Sequence, residues 1–481
     1  MFNIRIIFFI LGLLISILGT SMIIPLLFNI LNSENNSIVF VQSIVITLFI
    51  GISLVLAFKK KASTINIKDT IILTTLSWPI LCLFASLPLY FDENIKYFSD
   101  AFFEATSGLT TTGASVYNNI EELSAGILIW RSFIQWLGGL GIIIFAIAIL
   151  PILNLGGLQL FTQSWNKTSE DLNYSSKELA KLLGIIYVSF TAVIFILLYF
   201  AGLSGFDAFC HAMTTVATGG FSTHSNSIAY YNSFLVELII IFGMLLASLP
   251  FTLYLSGLRK NYSLFKDRQV IMFFSMVLLF STVLSLWTYF DNNFDILTAF
   301  RVSIFNGISL MTGTGYSTAN FSNWGSFSSS LLMFMMLIGG CTGSTTGGIK
   351  VFRFQILFLV ILKELRKINS PRAVETISYQ GKIINEEVIN SSMIIIILFL
   401  TSIFLITCIF SLFGYDFITS LSAGITSISV VGPGIGNIIG PEGNFSNLPS
   451  GLKYTLSLAM IVGRLEFLTF LILLLPKFWT R

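Results

Sequence analysis

Ten sustained apolar runs, near residues 6–31, 38–58, 70–91, 125–151, 182–203, 233–257, 270–290, 330–362, 388–413 and 452–476, set the terms on which this chain can fold. About 20 apolar residues in a helix cross a hydrocarbon core of about 30 Å. In that medium every backbone N–H and C=O must find an internal partner, so runs of this length fold as helices. Charged residues make up 10% of the chain, against about 25% in a soluble domain, too few to cover a water-facing surface. The expectation is an all-α membrane protein with ten transmembrane helices in a lipid bilayer. The first run follows Arg5 but exceeds the roughly 7–15 apolar residues of a secretory signal, and reads as a spanning helix.

Other classes are poorly served. A net charge of +3 points to no nucleic acid. Cys82, Cys210, Cys341 and Cys408 stand singly, and with only His211 and His224 beside them no metal-ligand spacing exists. An enzyme would need convergent nucleophile and base groups. The one centrally placed ionisable pair, Arg464 with Glu466, offers no nucleophile, so neither enzymatic activity nor an organic cofactor is expected.

Basic residues fall between alternate runs: Lys59, Lys60, Lys61 and Lys68; Lys167, Lys177 and Lys181; Arg259, Lys260, Lys266 and Arg268; Lys363, Arg366, Lys367, Arg372 and Lys382. The other connections carry mainly acids. Lys and Arg mark the cytoplasmic side, which places both termini in the cytoplasm and agrees with an even number of spans.

The outer connections after the third, fifth, seventh and ninth runs share one pattern: an acidic start, a half-length apolar helix, then a Gly/Thr/Ser tract. Asp100 leads to Thr110-Thr-Thr-Gly113, Asp207 to Ala217-Thr-Gly-Gly220, Asp295 to Thr312-Gly-Thr-Gly315, and Asp416 to Val430-Val-Gly432-Pro-Gly434. Asp suits a helix N-terminus, where it accepts backbone N–H bonds and meets the positive end of the dipole. Four occurrences predict a pseudo-fourfold repeat of helix, re-entrant pore loop and helix around one pore, since irregular backbone at membrane depth is kept where it lines a cavity. The units are 67–155, 178–262, 266–368 and 385–481, with two extra N-terminal helices in 1–66. Rings of backbone carbonyls can replace the hydration shell of a cation. Glycine takes the positive φ such a loop demands, and the negative ends of the short helices favour a cation too.

The four tracts in this order resemble the membrane pore subunit of the bacterial Trk/Ktr potassium uptake family. So do Gln135-Trp-Leu-Gly-Gly-Leu-Gly141, Gly339-Gly-Cys-Thr-Gly-Ser-Thr-Thr-Gly-Gly-Ile-Lys350 and Val462-Gly-Arg464-Leu-Glu466. The two extra N-terminal spans point to its TrkH branch. The resemblance implies potassium uptake across the bacterial inner membrane, driven by the membrane potential. It implies a selectivity filter of Thr111, Thr112 and Gly113; Thr218, Gly219 and Gly220; Gly313, Thr314 and Gly315; and Val430, Val431 and Gly432. Gly219 against Gly220, and Gly432 against Gly434, stay open. Glycine rather than serine at 113 favours potassium over sodium in this family. A homodimer and a cytosolic TrkA-type nucleotide-binding regulatory subunit are implied as well. Sodium- or proton-coupled symport, or sodium permeation, on the same fold is the alternative.

The run 330–362 is interrupted, and residues 339–348 are too rich in Gly, Ser and Thr to hold a helix on propensity. The resemblance makes 339–349 an intramembrane gating loop, with Gly339, Gly340, Thr342, Gly343, Ser344, Thr345, Thr346, Gly347, Gly348 and Lys350 as its residues; a small-residue packing seam is the competing reading. A phosphate-binding loop fails, because Ile349 stands where the motif needs Lys. Arg464 sits mid-span, at a cost of at least about 2.5–3.5 kcal/mol if uncompensated. The resemblance places it below the filter as an electrostatic barrier, and a structural carboxylate partner is the alternative. Glu104, Arg131, Glu237 and Arg301 read as buried or interfacial ion pairs whose partners the sequence does not assign.

Overall fold

Length and hydropathy do make helices of these runs. The computed structural model describes residues 3–34, 36–59, 66–148, 176–257, 266–291, 294–370, 376–380 and 382–479. Lys60, Lys61, Lys167, Arg259, Lys260 and Arg372, part of the charge pattern above, lie outside them. Among the described residues seven helices can cross a bilayer: Ile4–Leu31, Ser37–Phe58, Ile67–Tyr90, Ala125–Ile144, Glu178–Phe200, Arg268–Asp291 and Glu386–Leu412. Two more runs are bent pairs, which raises the count to nine: Phe234–Ala247 with Phe251–Gly257 at 90°, and Ser450–Arg464 with Leu468–Leu474 at 112°. The tenth expected span is Gly325–Ile338 and Val351–Asn369 with non-helical residues 339–350 between them.

The two bends differ in cause. At the first, Pro250 lacks an N–H and its ring clashes with the preceding turn. At the second, Glu466 and Phe467 take φ of 57° and 59°, left-handed values for residues with a Cβ. The all-α expectation needs one small correction: Ser378–Tyr379 pairs antiparallel with Lys382–Ile383. Gln380 makes the turn at φ 50°, and Ile377, Tyr379 and Ile384 bury the ribbon against Phe352, Ile356 and Val388.

Helices Ile4–Ser21 and Ser37–Phe58 pack along small residues, where a Cβ at Gly12 would lie 2.8 Å from the Leu54 Cβ. Close approach of backbones is what holds helices together in lipid. This hairpin is fastened to the rest by Glu34, whose carboxylate accepts the Ala125 N–H at 3.1 and 2.9 Å. The donor is an orphan of the helix N-terminus, and the acid also suits its dipole.

Four short helices, Phe98–Leu109, Gly205–Val216, Ile296–Met311 and Phe417–Ser429, run 12, 12, 16 and 13 residues. At about 1.5 Å per residue none crosses a core of about 30 Å. Their expected acidic starts divide into two kinds. Asp295 and Asp416 are N-caps, accepting from the N–H groups of Thr298 and Thr419. In the second helix Ser204 is the cap instead, and Asp207 accepts from Ser204 and Thr223. In the first, Asp100 sits inside the opening turn and takes the Lys453 ammonium at 2.6 Å, tying this helix to Ser450–Arg464.

Candidate functional site

Each short helix runs into a loop that repeats one backbone. Thr111, Thr218, Gly313 and Val430 take φ of 61°, 50°, 72° and 59°, and Gly113, Gly220, Gly315 and Gly432, two residues on, take 88°, 79°, 81° and 107°. The residues between them, Thr112, Gly219, Thr314 and Val431, do not share this sign. Their N–H groups each reach back five residues, to the carbonyls of Ser107, Thr214, Ser309 and Thr426, at 2.7, 2.8, 2.9 and 3.0 Å. Three of the four leading positions, Thr111, Thr218 and Val430, carry a β-branched side chain in a conformation that costs roughly 1–3 kcal/mol. Surrounding contacts must therefore hold it.

Those contacts close a ring. A Cβ on Gly113 would collide with the carbonyl oxygen of Gly219, one on Gly220 with that of Thr314, and one on Gly315 with that of Val431. One on Gly432 would lie 2.6 Å from the carbonyl oxygen of Thr112, back in the first loop. Both the left-handed φ and the missing space require glycine at these positions. In the two tracts that the sequence leaves open, Gly220 and Gly432 take the repeated position, whereas Gly219 lies between, and Gly434 lies beyond the ring with its N–H on the Ile439 carbonyl. Side chains break the symmetry: Thr110 and Thr112 hydroxyls pair at 2.8 Å, as do Thr312 and Thr314, and the other two loops have no such pair. A cavity of ≈ 120 Å³ opens on all four ring glycines and is lined besides by Tyr117, His224 and Pro433.

Behind the ring lie the ion pairs that the sequence leaves without assigned partners. Arg131 Nε meets Glu104 Oε1 at 2.9 Å with both side chains buried. Glu104 also accepts from the Val116 N–H and the Ser115 hydroxyl, and Arg131 Nη1 donates to the Ser222 carbonyl. The guanidinium lies 4.2 Å from the Phe221 ring centroid, so one cluster braces the first two loops. Arg301 grips Glu237 with two bonds of 2.8 Å. Tyr316, after the third loop, meets the Thr214 hydroxyl at 2.5 Å.

Residues 339–350 pack against the same ring. Their neck is closed by Ile349 N–H to the Leu337 carbonyl, Lys350 N–H to Ile338 and Val351 N–H to Gly340, at 2.9, 2.9 and 3.0 Å. Gly348 N–H donates to Ser429 at the end of the fourth short helix at 2.9 Å. Thr345 Oγ1 lies 3.1 Å from Thr218 Oγ1 and donates to the Ala247 carbonyl at the 90° bend. The Gly343 carbonyl accepts from Phe251 on the other side of that bend. Gly339, Gly340, Thr342, Gly343, Ser344, Thr345, Thr346, Gly347 and Gly348 thus form one folded-back loop, and Lys350 Nζ seals it on the Thr346 carbonyl at 2.5 Å.

Arg464 ends its helix 3% exposed, with Nη1 on the Thr345 carbonyl at 2.9 Å. Its Nε and Nη2 are buried without a hydrogen bond, and among the described residues no carboxylate pairs with it. Glu466 turns instead to Arg353, a residue inside the run 330–362 that sequence reasoning does not single out. At the start of the fourth short helix, hydrogen bonding from the Thr419 side chain holds the Asp416 carboxyl below the usual carboxylate range.

A family model described as TrkH, cation transport protein, matches residues 36–480. The Trk system potassium uptake protein TrkI of Halomonas elongata is 36% identical over 476 residues, 98% of this chain and 96% of that protein. The Trk system potassium uptake protein TrkH of Vibrio parahaemolyticus is 34% identical over 481 residues, 98% of each. The crystal structure of the potassium transporter TrkH from Vibrio parahaemolyticus superposes with a TM-score of 0.91 at 32% identity, covering 99% of this chain and 100% of that one.

Proposed function

The chain belongs to the TrkH family of cation transport proteins, and from that premise we propose that it takes up potassium through the ring of four loops. It is a multi-pass membrane protein and not an enzyme. The observation that carries the proposal is the closure of the ring, with four equivalent backbones meeting glycine to carbonyl in the order of the sequence. On this reading the reversal of φ sign at each step sets successive carbonyls facing the path. Rows of carbonyls are what replace the hydration shell of a monovalent cation. On this reading the four loops are re-entrant, the fold is a pseudo-fourfold repeat in units 67–155, 178–262, 266–368 and 385–481, and Thr111 to Gly113 with its three counterparts is the filter.

Residues 339–350 are the gate in this proposal. Contacts of Thr345 with the second ring loop, the 90° bend and Arg464 support that role, because opening the path under the ring requires breaking them together. Arg464, buried with two unpartnered nitrogens, sets an electrostatic barrier there. A cytosolic regulatory subunit of the TrkA type releases the loop, the pore chain works as a homodimer, and the membrane is the bacterial inner membrane with both termini cytoplasmic.

The test is potassium or rubidium uptake by this chain, together with its cognate regulatory subunit, in a potassium-transport-deficient bacterium. Rescue is expected, and failure to rescue overturns the proposal. Reversal potentials in liposomes then separate passive conduction from coupled transport: a potential that follows the potassium gradient alone is expected, and one that also follows sodium or pH gradients identifies symport.

A further inference from the structure

The motif from Gln135 to Gly141 has no part in the proposal above, yet it lies on the seam between the first two ring loops. A Cβ at Gly138 would collide with the Leu109 carbonyl at the end of the first short helix, and one at Gly139 would lie 3.0 Å from the Ala217 Cα at the end of the second. These glycines let helix Ala125–Ala148 run close enough for Gln135, fully buried, to reach the second loop. Its Nε2 donates to the Gly219 carbonyl at 2.6 Å, and its Oε1 accepts the Phe221 N–H at 3.1 Å. Only one orientation of the amide satisfies both partners.

Gly219 is the odd residue of the ring. The other three middle positions carry a side chain, Thr112, Thr314 and Val431. Gly219 does not take positive φ, so its backbone alone does not require glycine. What excludes a side chain is Gln135, whose Cδ and Oε1 would lie 2.5 Å from a Cβ at that position. Among the described residues, the carbonyls of Thr112, Thr314 and Val431 accept no side-chain hydrogen bond.

We propose that Gln135 is a selectivity-determining positioning residue, its amide taking the place of the side chain that the second loop lacks and fixing the Gly219 carbonyl in the ring. This rests on the reading of the ring as the filter. A carbonyl tethered by a buried donor cannot swing to follow a smaller ion, so the tether works against sodium.

The experiment measures reversal potentials in proteoliposomes for the parent chain, Gln135→Ala, Gly219→Ala and the double variant, with Gly113→Ser as control. Gln135→Ala is expected to lower the potassium-to-sodium permeability ratio by about three- to tenfold, the range one hydrogen bond spans. Gly219→Ala, which forces a methyl into the amide, is expected to lose conduction, and the double variant to regain it. A Gln135→Ala ratio equal to the parent's, or a double variant no better than Gly219→Ala, overturns the proposal. If Gln135→Ala is not recovered from membranes, Gln135→Met carries the same test, because it fills the space and removes both bonds. A Gly113→Ser ratio equal to the parent's strikes at the filter reading itself, whereas a shifted control with an unmoved Gln135→Ala strikes only at the role of Gln135.

Discussion

Arg464 donates through Nη1 to the Thr345 carbonyl oxygen at 2.9 Å, joining the break in the last long helix to the loop beneath the ring. Replacing it with Gln removes the charge and weakens the link. A hydrogen bond from a charged group is worth about 1.5–3 kcal/mol, so rubidium uptake by Arg464→Gln without the regulatory subunit is expected to rise about tenfold or more. Uptake at the parent's level would sever Arg464 from gating.

Gly315 combines φ of 81° with a Cβ position blocked by the Val431 carbonyl. Gly315→Ala is expected to insert normally, as judged by immunoblot of the membrane fraction, while uptake falls at least about tenfold through backbone strain and displacement of the neighbouring loop. Normal transport by that variant would count against the ring as the path.

The Glu104–Arg131 pair is buried on both sides. Removing one partner leaves a charge with nothing to answer it, at about 3–5 kcal/mol. Glu104→Gln and Arg131→Met are each expected to lower the unfolding midpoint in detergent clearly, and the double variant by less than their sum. Strict additivity would mean the two do not act as a unit.

Arg301 holds Glu237 with two bonds where Arg131 reaches Glu104 with one, but the Arg301 side chain is 31% exposed. Solvent screening reduces such a pair to about 0–1 kcal/mol. Arg301→Ala is therefore expected to shift the same midpoint far less than Glu104→Gln, and the comparison of the two tests whether burial or geometry sets the cost.

Asp416 caps its helix through the Thr419 N–H, and hydrogen bonding from Thr419, its side chain first and then that N–H, holds the carboxyl below the ordinary range. A depressed folded-state pKa adds stability above the unfolded carboxylate value of about 3.9, and that stability is lost as the pH falls through the folded value. Asp416→Ala is expected to cost about 1 kcal/mol near neutral pH. Asp416→Asn, which keeps the acceptor, is expected to retain most of the cap and to lose less of it in acid.

The apolar runs made the helices legible, and four Asp-to-glycine tracts marked the four short helices. Pro250 signalled the first bend, though a run counted only by hydropathy hid it. The second bend carried no signal: Glu466 and Phe467 are ordinary residues forced to positive φ by their surroundings. At that bend Glu466 leaves the helix and meets Arg353, so the two charges close together in sequence, Arg464 and Glu466, end on different partners. Three of the ring's inter-loop contacts join residues roughly a hundred positions apart and the closing one, Gly432 with Thr112, roughly three hundred, and local pattern carries no such information. The asymmetry at Gly219 was visible as one more glycine in a glycine-rich tract, but its cause lies on another helix, in Gln135.

Because the ring closes from four unequal stretches of one chain, each wall is inherited separately. A codon change at Thr112, Gly219, Thr314 or Val431 alters one quarter of the circumference, where an assembly of four identical chains would copy the same change into every wall. Variation can then tune the ring in small doses, and the threonine pairs present in two loops and missing from the other two already make its walls unequal.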